Sequence, residues 1–335
     1  MLRLQQGFHV KILFKIWLLK TCYTGLTCYT RNMKKANYNY IELENIIYMT
    51  SLVNSLNPEE REYFNQLLTG LRAYGINDLC LDDMEVEDKE LNNKDLFAEK
   101  YQELKDNSLF IIGQEKQMCR LTNLGYACLG YGTDNGSRVI LSFQDIDYDF
   151  INRSFHRLSE QPWIILESPR CILRELTLGD LDDLYDLHEN KTVREYVEPL
   201  FVDRDKEIEF QRSYIEGMYG LYELGLWLIF SQETDELIGR AGIEFREYEG
   251  QNVIELGYMV ADSYQRRGIA FEVCQKIIEY IRNNYEYKEL YCFIENDNKA
   301  SLGLAEKLGF NRVGKCPTIY MDKAVELAAF RMMLN

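Results

Sequence analysis

Gln265-Arg266-Arg267-Gly268-Ile269-Ala270 stands between an alternating stretch, Val253 to Val260, and an amphipathic one, Phe271 to Tyr285. Alternation predicts a strand and a 3.6-residue apolar period predicts a helix, so these six residues form a strand-to-helix turn. The first N–H groups of a helix have no intrahelical partner, and the helix dipole adds partial positive charge to them. Two arginines add full charge and the glycine admits close approach, which suits the pyrophosphate of a cofactor. A short basic turn with one glycine also fits an ordinary solvated connection, so its surroundings must decide.

Beyond this helix a second strand is predicted at Glu289 to Ile294, then Asn298-Lys299-Ala300-Ser301 opens a helix that stops at Glu306-Lys307-Leu308-Gly309-Phe310. With these residues the chain resembles the GCN5-related N-acetyltransferase (GNAT) superfamily. Arg174-Glu175, Leu237-Ile238-Gly239-Arg240 and Glu255-Leu256-Gly257-Tyr258 further resemble the branch that holds ribosomal-protein N-terminal acetyltransferases. The resemblance covers about Cys171 to Asn335. It implies an α/β (α+β) fold with a mixed, mostly antiparallel central sheet flanked by helices. It also implies acetyl-coenzyme A as cofactor and an amine as acceptor, either a protein N-terminus or a small molecule. The predicted order of elements from Cys171, βααβββαβαββ, is that of the family.

Acyl transfer from a thioester to an amine needs a grip on coenzyme A, a free-base amine, a stabilised oxyanion and a proton for the leaving thiolate. The loop Gln265, Arg266, Arg267, Gly268, Ile269 and Ala270 meets the first need. The resemblance adds Met259 and Val260 as pantetheine contacts, with a backbone N–H there for the oxyanion. On the strand that ends at Val260, Ile254, Leu256, Tyr258 and Val260 share an apolar face, and Val253, Glu255, Gly257 and Met259 share the other. Glu255 projects beside the small Gly257 and matches the family's frequent catalytic glutamate; a buried acid paired with an arginine such as Arg240 is the alternative. Many relatives carry a tyrosine where this chain has Ala305, so Ser301, directly or through water, is the candidate thiolate donor. Ser301 and Asn298 are placed near the cofactor by resemblance and also suit a helix cap. Val193 to Pro199 should form the acceptor pocket, with Tyr196 and Glu198 placed to receive the amine. Trp227 is assigned to the core.

Composition sets the limits. The 335 residues are 46% hydrophobic and 27% charged, an ordinary globular mixture long enough for two domains. A net charge of −16 argues against nucleic-acid binding, which needs clustered cations, and suits a cationic or amine-bearing partner. Nine cysteines without a Cys-x-x-Cys pair, and three dispersed histidines, give no basis for a metal site and point to a reducing, cytoplasmic compartment. No membrane span is expected, because lysines interrupt the apolar Phe8 to Lys20. A monomer or homodimer is expected.

Residues 1–48 carry seven Lys/Arg against two Glu and read as a disordered or non-native extension, with Met33 and Met49 as alternative starts. Residues 49–161 read as a smaller α/β module. Asn57-Pro58-Glu59-Glu60 opens a helix, and an acidic run from Asp82 to Glu90 forms a solvated face before a polar helix reaching Leu104. Leu109 to Gly113, a helix to Gly125, and Tyr126 to Gly130 form a βαβ unit, with Val139 to Phe143 as a third strand. The module faintly resembles a haloacid-dehalogenase-like hydrolase, but the Asp-x-Asp motif is absent from its strand, so no phosphatase activity is expected. Gly130 to Gly136 reads as a turn. Residues 162–170, bracketed by Pro162 and Pro169, read as a linker in which Trp163 packs between domains, and 171–335 as the acetyltransferase domain. The alternative function is a non-catalytic acyl-coenzyme A-binding sensor.

Overall fold

The computed structural model describes residues 41–80, 102–133, 139–320 and 323–334. Their first half forms a five-stranded sheet from β1 (Asn45–Tyr48), β2 (Asn77–Cys80), β3 (Ser108–Ile112), β4 (Ala127–Tyr131) and β5 (Val139–Ile140). The spatial order is β2-β1-β3-β4-β5, and every pairing is parallel. That order is the doubly wound, flavodoxin-type arrangement, in which helices cover both faces. Alternation along the central strands divides the core accordingly. Ile46, Leu109, Ile111 and Leu129 face α2 (Pro58–Ala73) and α4 (Tyr148–Leu158), whereas Ile47, Phe110, Ile112 and Cys128 face α3 (Glu115–Asn123). Burial on both sides is why these strands read as short continuous apolar runs. Between β1 and α2 lies α1 (Thr50–Ser55). The predicted cap at Asn57 forms, its side-chain oxygen accepting from the Glu60 N–H at 2.8 Å.

The boundary drawn at residue 48 requires correction. Asn45–Tyr48 is not part of an extension but an interior strand, paired on both edges, with Ile46 and Ile47 fully buried. Residues 1–40, the acidic run at Asp82 to Glu90 and most of the helix expected after it lie outside the described residues, as does part of the Gly130 to Gly136 turn.

The second half is an eight-stranded sheet ordered β12-β13-β11-β10-β9-β8-β7-β6. Its strands are β6 (Ile164–Glu167), β7 (Cys171–Arg174), β8 (Leu226–Ser231), β9 (Leu237–Tyr248), β10 (Gln251–Val260), β11 (Glu289–Glu295), β12 (Asn311–Tyr320) and β13 (Lys323–Met333). All neighbours are antiparallel except β10 and β11. Here too a boundary moves: Ile164–Glu167, expected within a linker, pairs with β7 as the sheet's edge strand. Its two flanking prolines lie outside the paired residues, where the missing N–H costs no ladder bond. Trp163 is 9% exposed and packs edge-on to His156 of α4.

Helices flank this sheet: α5 (Leu181–His188), α6 (Lys191–Tyr196), α7 (Arg204–Tyr214, continued by a π-helical turn at Ile215–Tyr219 and one further α-turn at Gly220–Tyr222) and α8 (Ile269–Asn284). Helix α9 (Lys299–Leu308) follows β11. The apolar stripe of α8, Val273, Cys274, Ile277, Ile278 and Ile281, packs with Ile254, Leu256 and Val260 of β10 as the two periodicities require. Trp227 is fully buried in the same core. Among the described residues no helix is long and apolar enough to cross a membrane.

Candidate functional site

β10 and β11 run side by side but share one register pair, Glu255 with Tyr291, although β10 continues to Val260 and β11 to Glu295. Past that pair the strands part, and the β10 edge from Gly257 to Val260 loses its ladder partner on that side. Backbone polar groups left this way need another partner, and an extended ligand with its own amides can supply one. Met259 and Val260, the expected pantetheine contacts, lie on this stretch.

The basic turn follows at once. A 3₁₀ turn at Asp262–Tyr264 leads into Gln265, whose side-chain amide donates to the Val260 carbonyl at 2.9 Å and to Asp262 Oδ1 at 3.3 Å. The glutamine thus fastens the turn to the end of β10. Arg266 and Gly268 both take left-handed backbone conformations, with φ of 58° and 81°. Gly268 is the residue before α8, and no side chain caps that helix start. Arg266, Arg267 and Gly268 are exposed, Ile269 is buried in the core, and Ala270 is partly buried. The Arg267 guanidinium lies 5.2 Å from the centre of the Tyr264 ring. Exposed cations, a left-handed glycine and an uncapped helix start therefore converge on the mouth of the strand split, an arrangement able to hold a phosphate.

Glu255 sits at the base of the split. Its Oε2 accepts from Arg246 Nε at 2.5 Å, and its carboxylate also accepts from the Phe293 backbone N–H on β11. Burial raises its pKa first, Glu244 directly across on β9 pushes the same way, and the bonds from Arg246 and Phe293 oppose them, leaving the group above the usual carboxylate range. The arginine named beforehand as a structural partner, Arg240, is not the one that pairs. Arg240 instead lies 5.0 Å from the centre of the Tyr214 ring and donates from Nε to the Leu226 carbonyl at 3.3 Å. The space expected beside Gly257 is partly taken, since a Cβ there would stand 3.1 Å from Leu226 Cδ2.

Asn298 caps α9, its Oδ1 accepting from the Ser301 N–H at 3.0 Å. The Tyr258 hydroxyl donates to the Ser301 carbonyl at 3.5 Å, so β10 and the start of α9 meet at Ser301. Tyr196, at the end of α6, comes near the acids that close β11. Partial burial, a hydrogen bond to Glu195, and the charges of Glu195, Asp297 and Glu295 together raise its phenol pKa. Glu198 is half-buried two residues further on.

Two tyrosines of α7 and its π-helical turn, not singled out from sequence, complete the surroundings of Arg240 and Glu244. The Tyr214 hydroxyl donates to Glu244 Oε1 at 3.1 Å and accepts from the Leu226 N–H at 2.7 Å, next to the π-helical turn of α7. Tyr219 donates to the Leu226 carbonyl at 2.5 Å. The signal for Arg240, Glu244 and Arg246 was present in the period-2 pattern of β9, which puts all three on the side of Glu255.

Comparison with known proteins bears on this half of the chain. The family model described as an acetyltransferase (GNAT) domain matches residues 170–311. An uncharacterized protein, YkkB, of Bacillus subtilis (strain 168) is 33% identical over 90 residues, 27% of this chain and 52% of that protein. The chain thus spans about half the length of that relative. An uncharacterized N-acetyltransferase of the same organism, YoaA, is 30% identical over 153 residues, 45% of this chain and 84% of the relative. A solved structure, the ribosomal L7/L12 alpha-N-protein acetyltransferase RimL, covers 52% of this chain and 96% of its own, at 18% identity and a TM-score of 0.43.

Proposed function

The chain belongs to the GNAT acetyltransferase family, and from that premise we propose that it is an acetyl-coenzyme A-dependent N-acetyltransferase acting by direct attack of an amine on the thioester. The observation that carries the proposal is the split between β10 and β11 opening beside the uncapped, left-handed Gly268 at the start of α8. The loop Gln265 to Ala270 would hold the pyrophosphate, and the β10 edge at Met259 and Val260 would receive the pantetheine and offer a backbone N–H to the developing negative charge.

The bound cofactor supplies the acetyl thioester. Glu255 would take the proton that the attacking amine loses, directly or through water. A carboxylate raised toward neutrality suits that role better than an unperturbed one. Ser301, directly or through water, would give the departing thiolate its proton. Tyr196 and Glu198 line the acceptor side, and with Glu295 and Asp297 nearby they favour a cationic amine, whether a peptide N-terminus or a small molecule. The free buried cysteines Cys171, Cys274 and Cys292 suit the reducing cytoplasm.

Two observations favour a second reading, a non-catalytic acyl-coenzyme A sensor: Glu255 is engaged by Arg246, and Ala305 stands where many relatives carry a tyrosine. Coenzyme A release from acetyl-coenzyme A, measured against a panel of peptide and small-molecule amines, separates the two. Turnover supports the enzyme, binding without turnover supports the sensor, and neither binding nor turnover refutes both.

A further inference from the structure

The hairpin between β6 and β7 carries Arg170, which reaches the cofactor loop from 97 positions away in sequence. Its backbone N–H donates to Glu272 Oε1 at 3.0 Å and its Nε to Glu272 Oε2 at 2.7 Å, while one terminal amine closes the ion pair at 2.6 Å. The other terminal amine donates to the Arg267 carbonyl at 2.8 Å. The arginine's own backbone is fixed by the Gln232 N–H, which donates to its carbonyl at 2.9 Å. Burial of Glu272 works to raise its pKa, yet the hydrogen bonds from Ser168 and Arg170 outweigh burial and hold the carboxylate ionised below its usual range.

Two consequences follow from peptide geometry and charge. The carbonyl of residue 267 and the N–H of residue 268 belong to one planar trans peptide and point in opposite directions. Pinning the carbonyl onto Arg170 therefore turns the Gly268 N–H the other way. Glu272, in the first turn of α8, is a negative charge beside the place where an anion would bind, and Arg170 neutralises it at contact distance.

We propose that Arg170 is a positioning residue for the pyrophosphate loop, aiming the Gly268 N–H and cancelling the charge of Glu272 so that the loop is set for the cofactor before it arrives. The inference rests on the cofactor reading of this loop. A ligand that meets a preset site loses less free energy to ordering it, so affinity should depend on Arg170 although the phosphates are bound by other residues.

The test uses the full chain with acetyl-coenzyme A and with acetyl-pantetheine, which lacks the pyrophosphate. Arg170→Ala should raise KM for acetyl-coenzyme A about tenfold with kcat nearly kept, and should leave KM for acetyl-pantetheine unchanged. Arg170→Lys should recover part of the loss, and adding Glu272→Gln to Arg170→Ala should recover the electrostatic part. Equal losses with both acyl donors, or a fall in kcat with KM unchanged, would overturn the inference. Wild-type protein that does not bind coenzyme A by calorimetry would instead refute the cofactor reading itself.

Discussion

At Glu255, three constraints meet: a strand position facing the split, an ion pair with Arg246, and a pKa raised chiefly by burial. Glu255→Gln should lower turnover by roughly 10²-fold near neutral pH with coenzyme A affinity almost unaltered, because in the proposed role the carboxylate acts on the amine rather than on the phosphates. The raised pKa fixes the sign of the pH dependence. The wild-type rate should climb as pH passes an apparent pKa above the ordinary carboxylate value, the Gln variant should lack that limb, and the two should converge where the amine is already deprotonated. A variant that loses melting temperature and activity together would make Glu255 a structural acid, with Glu244 the next candidate base. The face on which Glu255 lies was legible because alternation separates it from Ile254 and Leu256. Its partner was legible in principle: the two-residue turn Glu249-Gly250, left-handed at both positions, sets Gln251 against Tyr248 and therefore Glu255 against Glu244 and Val253 against Arg246. What alternation cannot supply is which of two same-face arginines turns toward the acid, since that depends on Tyr214, which comes from a helix and holds Arg240 elsewhere.

Among the elements, long periodic ones could be read, whereas the four-residue β1 and β6 could not. The α8 stripe and β10 agree with their patterns because each buries one face, whereas β8 is an apolar run buried on both faces. β1 offers only Ile46 and Ile47 between polar residues, next to a basic segment, so nothing local marks it as the interior strand that it is. β6 lies between prolines, which in sequence signal a turn and in the sheet mark the limits of an edge strand. The position of β1 has a measurable consequence. A chain beginning at Met49 removes both isoleucines, each worth about 1.5–3 kcal/mol when buried, and leaves β2 without its neighbour. Such a chain should melt several degrees lower or fail to fold its first half, whereas one beginning at Ile41 should match the full chain. Equal melting temperatures for the Met49 start and the full chain would show that the strand is dispensable.

In the whole molecule, α4 joins the two sheets. It contributes Ile151 and Phe155 to the first core and sends Arg157 into the second half, where the guanidinium bonds Glu175 at 2.8 and 2.5 Å and Glu223 at 2.9 Å through two nitrogens. Arg157 and Glu175 are both almost wholly buried, so removing one partner strands a charge. Arg157→Ala should cost about 3–5 kcal/mol, read as a lower denaturation midpoint of the full chain, and an unchanged midpoint would show that the halves do not depend on this contact. The same contact places the start of the acetyltransferase sheet, from β6 onward, against the first half, with Arg170 on the hairpin that follows. The proposed activity requires the loop before α8 to be the place where coenzyme A binds. Calorimetric titration of coenzyme A into the wild-type protein and into Gly268→Val, with melting temperatures taken in parallel, tests this most directly. A valine at a left-handed position in the proposed phosphate loop should abolish binding while the protein stays folded. Equal affinity in the two folded proteins would contradict it.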